Sequence, residues 1–151
     1  MSHTTTIRGM NITSVPAMRH AVEALQNKGI RCELLENAKP RMYYRRQEET
    51  CDFVLKLHDS TYDVGFRKNA DGGYDPVLDT WDNQIEDQVG AVCPVPDMNT
   101  SQGRAQMAIG RFMVEYNEAL GLMEAVKNGL MHEGTYVDEK GNRHIVLQEM
   151  T

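Results

Sequence analysis

The sequence predicts an α+β fold, a mainly antiparallel sheet with two amphipathic helices packed on one face. Three observations carry this. Cys51 to His58 ("CDFVLKLH") and Thr61 to Lys68 ("TYDVGFRK") alternate in apolar and polar residues with the period of two that a half-buried strand requires. The link between them, Asp59-Ser60, is too short for a crossover, so the two run antiparallel. Two stretches, one early and one late, carry apolar residues at helical spacings of three and four.

The elements follow in order. Thr4 to Met10 is β-rich and suits a first strand. Ser14 caps a helix whose first turn tolerates Pro16. Ala17, Met18, Ala21, Val22, Ala24 and Leu25 form its apolar stripe, and Gly29 stops it, so the helix runs from Val15 to Lys28. Ile30 to Glu36 returns as a strand, Pro40 breaks it, and Arg41 to Gln47 reads as another. In Cys51 to His58, Phe53, Leu55 and Leu57 point one way and Val54, Lys56 and His58 the other. In the next strand Tyr62, Val64 and Phe66 oppose Asp63, Gly65 and Arg67. Asp71-Gly72-Gly73 supplies positive φ for the following turn, and Pro76 puts the strand from Tyr74 to Trp81 at an edge.

From Asp82 to Gly103 the periodicity is lost, which predicts a long loop of the kind that is mobile or functional. A helix over Arg104 to Gly129 follows, with Ile109, Phe112, Met113, Tyr116, Leu120, Met123 and Val126 on its buried face. Gly110 and Gly121 inside it imply close packing against a strand. The chain closes in a hairpin that turns at Glu139 to Asn142, with Ile145 and Leu147 facing inward. The order is β-α-β-β-β-β-β-loop-α-β-β, a single domain over residues 1–151.

Composition excludes several functions. Hydrophobic content of 40% and charged content of 25% are those of a folded globular chain. A net charge of −6 argues against a general nucleic-acid binder. No apolar run is long enough to span a membrane, and "MSHTTTIRGM" holds no apolar signal core, so a cytoplasmic protein is expected. Three cysteines without a Cys-x-x-Cys pair suit free thiols in a reducing compartment. Ten Met residues suit an adaptable core or a soft partner surface.

The chemistry-bearing residues are sparse. His3, His20, His58, His132 and His144 show no metal-ligand spacing, and no Gly-x-Ser-x-Gly or phosphate loop is present. No catalytic residue, metal ligand or cofactor is assigned, and the sequence leans away from an enzyme. Cys93 in "AVCPVPD" lacks an assignable base. Asp75, Asp79, Asp82, Glu86 and Asp87 crowd together; they suit a solubilising loop or, more weakly, a metal-dependent hydrolase. The best candidate is the polar face of the meander. If alternation holds, Arg41, Tyr43 and Arg45 share a side that Lys56, His58 and Arg67 join, a face able to attract phosphate or nucleic acid with Tyr43 for stacking. The plain reading is a solvated face with cross-strand pairs to Asp63, Glu33 and Asp75.

"MSHTTTIRG", "CDFVLKL", "YDVGFRKNADGGYD", the Trp soon after and "EGTYVDEKGNRHIVLQ" together resemble the Ycf-type family called hypothetical chloroplast open reading frame 35. That family is a domain of unknown function in plastids, cyanobacteria, other bacteria and some phages. The resemblance covers nearly the whole chain and is most specific at Tyr62 to Asn69 and Gly141 to Gln148. Between Asp82 and Arg104 the chain departs from the family pattern. The resemblance implies a compact α+β domain in a cytoplasm or plastid stroma, and brings no catalytic residues with it.

Two functions are therefore expected ahead of others. One is a small non-enzymatic binding or adaptor protein that meets a protein partner through the loop Asp82 to Gly103 or the open sheet face. The other is a binder of a phosphorylated small molecule, nucleotide or RNA on the basic face. A homo-oligomer paired across a two-fold axis, through the edge strand containing Pro76 or the C-terminal hairpin, is a further expectation.

Overall fold

The computed structural model describes residues 4–43, 49–92 and 99–149. A five-stranded antiparallel sheet is built from β1 (Thr4–Thr6), β2 (Cys32–Ala38), β3 (Cys51–Leu57), β4 (Val64–Lys68) and β5 (Tyr74–Asp79). Its spatial order is β1-β5-β4-β3-β2. Four strands form a sequential meander, and the first strand adds to the far edge beside β5. The helices are α1 (Val15–Asn27), the single turn α2 (Glu86–Val89), α3 (Ser101–Ala108) and α4 (Gly110–Lys127). A separate two-stranded arm, β6 (Leu130–Val137) and β7 (Arg143–Glu149), ends the chain. This is the α+β architecture expected, with helices laid along a mainly antiparallel sheet.

The alternation read in the sequence sorts the sheet's two faces. Phe53, Leu55, Leu57, Val64, Phe66 and Leu78 are buried against the helices in one core with Met18, Leu25, Phe112 and Tyr116. Each such large side chain contributes about 1.5–3 kcal/mol by leaving water. The Phe66 and Phe112 rings meet at 5.4 Å between centroids, joining sheet to helix. The first helix starts where Ser14 caps it, its Oγ accepting from Ala17 N at 3.1 Å. The loop before it is pinned by Tyr116, whose buried hydroxyl accepts from the backbone N–H of Thr13 at 2.9 Å and of Ser14 at 3.1 Å.

Several elements differ from expectation. Arg41 to Tyr43 does not join the sheet, and residues 44–47 of the expected strand lie outside the described residues. Pro40 and Met42 fold across the helix-free face, where Met42, Cys51, Val54 and Val77 make a second small core. That face is thus covered in part rather than open. The expected loop holds a 3₁₀ turn at Trp81–Asn83 and α2, and buries Ile85 and Val89 in the main core.

The late helix is two helices, broken at Ile109. Backbone from the preceding segment fills the break. Ala91 N–H donates to the Met107 carbonyl at 2.8 Å. A Cβ on Gly110 would lie 2.8 Å from Ala91 Cα, so this glycine packs against a connecting segment rather than a strand. Gly121 faces open space, and Val126 is exposed. Leu147, expected inward, is exposed too, because the arm stands off the body instead of extending the main sheet.

Candidate functional site

The predicted site residues are placed as follows. Arg41 is bound to Asp63: its Nε and one terminal nitrogen donate to the carboxylate at 2.9 and 2.7 Å, and that nitrogen also reaches the Leu57 carbonyl at 2.8 Å. Asp63 is buried and accepts further from the Arg41 and Leu57 backbone N–H groups. This network ties the segment that crosses the sheet to the β3–β4 connection, and the bond from Asp63 raises the Arg41 pKa further. Tyr43 is half-exposed and packs on Trp81 at 5.7 Å between ring centroids and on Tyr62 at 6.5 Å. Arg45 lies outside the described residues, as do His3 and Cys93.

Lys56 and Arg67 do share the helix-free face with Val54 and Gly65, but at opposite ends of it. Lys56 sits opposite Glu33 in the ladder, and His58 Nε2 is 3.4 Å from the same carboxylate. Arg67 sits opposite Asp75 and reaches Glu49 at 3.3 Å. The structure thus places Arg41 on the buried Asp63, Lys56 and His58 beside Glu33, and Arg67 opposite Asp75, and among the described residues gathers no single cluster from these cations.

The acidic residues disperse as well. Asp79 is fully buried and accepts from the Trp81 N–H at 3.1 Å and the Tyr43 N–H at 3.3 Å. Asp75 accepts from Asn69 Nδ2 at 3.1 Å, while Glu86 and Asp87 sit on α2. Among the described residues no three His, Cys, Asp or Glu side chains gather where they could hold a metal ion. Cys32 and Cys51 are buried free thiols. Burial pushes Cys32 up to about 11, and it raises Cys51 against the opposing pull of Arg67.

The C-terminal hairpin, expected only as an edge able to pair with a second copy, stands as a separate arm. Ten large apolar side chains are exposed among the described residues. Seven of them belong to α4 and the arm: Val114 and Val126, then Met131, Tyr136, Val137, Val146 and Leu147. Met131, Tyr136 and Val146 share the outer face of the arm, where the Tyr136 ring stacks on His144 at 4.8 Å. Among the described residues neither β6 nor β7 has a strand neighbour on its other side. A two-stranded sheet is marginal alone, so something must hold it.

The anchor is ionic. Glu115 is buried in α4, and it pairs with Lys28 at the end of α1 and with Arg143 of β7 at 3.2 Å. Arg143 also pairs with Glu118, which accepts from Thr135 Oγ1 at 3.4 Å. Burial pushes the Glu115 carboxyl up, but the hydrogen bond from Lys28 and the charges of Arg143 and Lys28 outweigh it and hold it below the usual carboxylate range. A sequence signal for this existed: Glu115 interrupts the apolar face between Phe112 and Tyr116, and a charge there needs a partner. The turn is set by Asp138, whose Oδ1 accepts from the Lys140 and Asn142 N–H groups, both at 2.9 Å, with Gly141 at φ +84°.

Among the described residues no helix is long and apolar enough to cross a membrane. Comparison with protein-family models, curated proteins and solved structures gives no match, so function is read from this geometry alone.

Proposed function

We propose that this protein is a small non-enzymatic binding or adaptor protein that meets a partner protein through the C-terminal arm. The observation that supports it is the exposure of Met131, Tyr136 and Val146 on the outer face of an arm whose two strand edges have no strand neighbour among the described residues. Apolar side chains in such a patch mark an interaction surface, and free edges accept a further strand. The partner supplies an extended segment that pairs with β6 or β7 and covers Tyr136 and Val146. Membership of the family resembled at Tyr62 to Asn69 and Gly141 to Gln148 is part of the same proposal.

The test compares the tagged full chain with the double variant Tyr136→Glu and Val146→Glu, each isolated from the native cell. A stoichiometric protein retained by the first and lost by the second is the expected result. The native mass of the purified chain tells a second copy from a different partner. Retention of the same protein by the variant, or a wild-type chain that is monomeric and carries no stoichiometric protein, overturns the proposal.

A further inference from the structure

A cavity of about 690 Å³ opens at the root of the arm, where the end of α1, the start of α4, residues 91–92 and the β6–β7 turn meet. Four cations line it, Lys28, Arg111, Lys140 and Arg143, each from a different element or turn. No carboxylate lines it among the described residues. Lys28 and Arg143 are held by Glu115. The side chains of Arg111 and Lys140 make no ion pair or hydrogen bond with any described residue. Glu115 and Glu118 balance Lys28 and Arg143, so the uncompensated charge is that of Arg111 and Lys140, a local positive field in a chain of net charge −6 that an anion would relieve. Helix α4 adds to it, because its first turn contains no acidic residue.

The remaining walls are of another kind. Met10, Met113 and Val114 give an apolar side, and the Gln106 and Asn142 amides carry both donors and acceptors. A volume in this range suits a small molecule. Gly110 keeps the cavity's back wall in place, since a side chain there would drive into Ala91.

We propose that this cavity binds a nucleoside phosphate, the phosphate meeting Arg111, Lys140 and Arg143 and the base lying on Met10, Met113 and Val114. The cavity shares only Val114 with the exposed apolar residues of α4 and the arm, and Tyr136 and Val146 lie outside it, so this site and the partner surface stand or fall separately.

Calorimetric titration of the full chain with the mono- and diphosphates of adenosine, guanosine and uridine tests it, with the free nucleosides and inorganic pyrophosphate alongside. At least one nucleotide is expected to bind about tenfold or more tighter than its nucleoside and than pyrophosphate. The double variant Arg111→Gln and Lys140→Gln is expected to lose about tenfold or more of that affinity, while Lys39→Gln with Lys56→Gln, just after β2 and in β3, keeps it. Circular dichroism checks that each variant is folded. No binding of any nucleotide, pyrophosphate binding as tightly as the nucleotides, or unchanged affinity in the Arg111 and Lys140 variant each overturns the proposal.

Discussion

At the scale of single residues, the least replaceable positions are those where backbone or a lone polar atom closes the packing. Gly65 is one. A Cβ there would lie 2.7 Å from Cys51 Sγ and 2.8 Å from Val77 Cγ1, with Pro40 3.1 Å away. Gly65→Ala is expected to cost about 1–3 kcal/mol in chemical denaturation. Adding Cys51→Ala should recover part of this, because it removes the nearest atom. Tyr116 is another: its hydroxyl alone serves the Thr13 and Ser14 N–H groups. Tyr116→Phe keeps the ring packing and strands two donors, for an expected loss of about 1–2 kcal/mol read by the same measurement. The period-two pattern places Gly65 on the helix-free face correctly but says nothing of what crowds it. Its neighbours arrive from Cys51 and Val77 on the strands either side and from Pro40, which the alternation leaves out of the sheet.

At the scale of elements, β3, β4 and β5 were legible because one face of each is apolar, as in Phe53, Leu55 and Leu57, Val64 and Phe66, or Tyr74, Pro76 and Leu78, and the links between them are short. Arg41 to Tyr43 misled for a physical reason. Met42 and Tyr43 have the composition of a strand, yet Pro40 and the demand of Asp63 for Arg41 carry the segment across the sheet instead. The break at Ile109 is hidden because apolar spacing continues on both sides of it, and only the Ala91 N–H bond to Met107 gives it away.

The arm carries a pH dependence of its own. Glu115 titrates below the ordinary carboxylate value of about 4.3. Its share of stability is therefore complete above that value and is lost as pH falls through the lower folded one. Amide hydrogens of β6 and β7 should lose protection on acidification before those of β3 and β4. Glu115→Gln should reproduce the loss at neutral pH. Equal loss in both sheets would mean that the tether does not govern the arm.

At the scale of the whole molecule, neither core draws a side chain from the arm; both are built from the main sheet, the connections and the helices. A chain ending at Asn128 is expected to keep a cooperative thermal transition and its near-ultraviolet dichroism while losing the protein partner. Loss of the transition would show that the arm is structural. The alternating arm strands and their turn are plain in the sequence, but their standing apart is not. An inward Ile145 and Leu147 look the same whether the surface beneath them is a wide sheet or the side of one helix. The cationic cavity was equally illegible, since Lys28, Arg111, Lys140 and Arg143 are scattered along the chain and converge only through the fold.

The placing of β1 beside β5 sets an order of events during synthesis. Strands β2 to β5 pair with neighbours that leave the ribosome shortly before or after them, whereas Thr4–Thr6 must wait for Val77 to Asp79. Helix α1 waits longer still for its cover from α4. The segment from β1 to α1 is thus among the last of these elements to settle, and until then its apolar residues Ile7 and Ile12 stay available to chaperones.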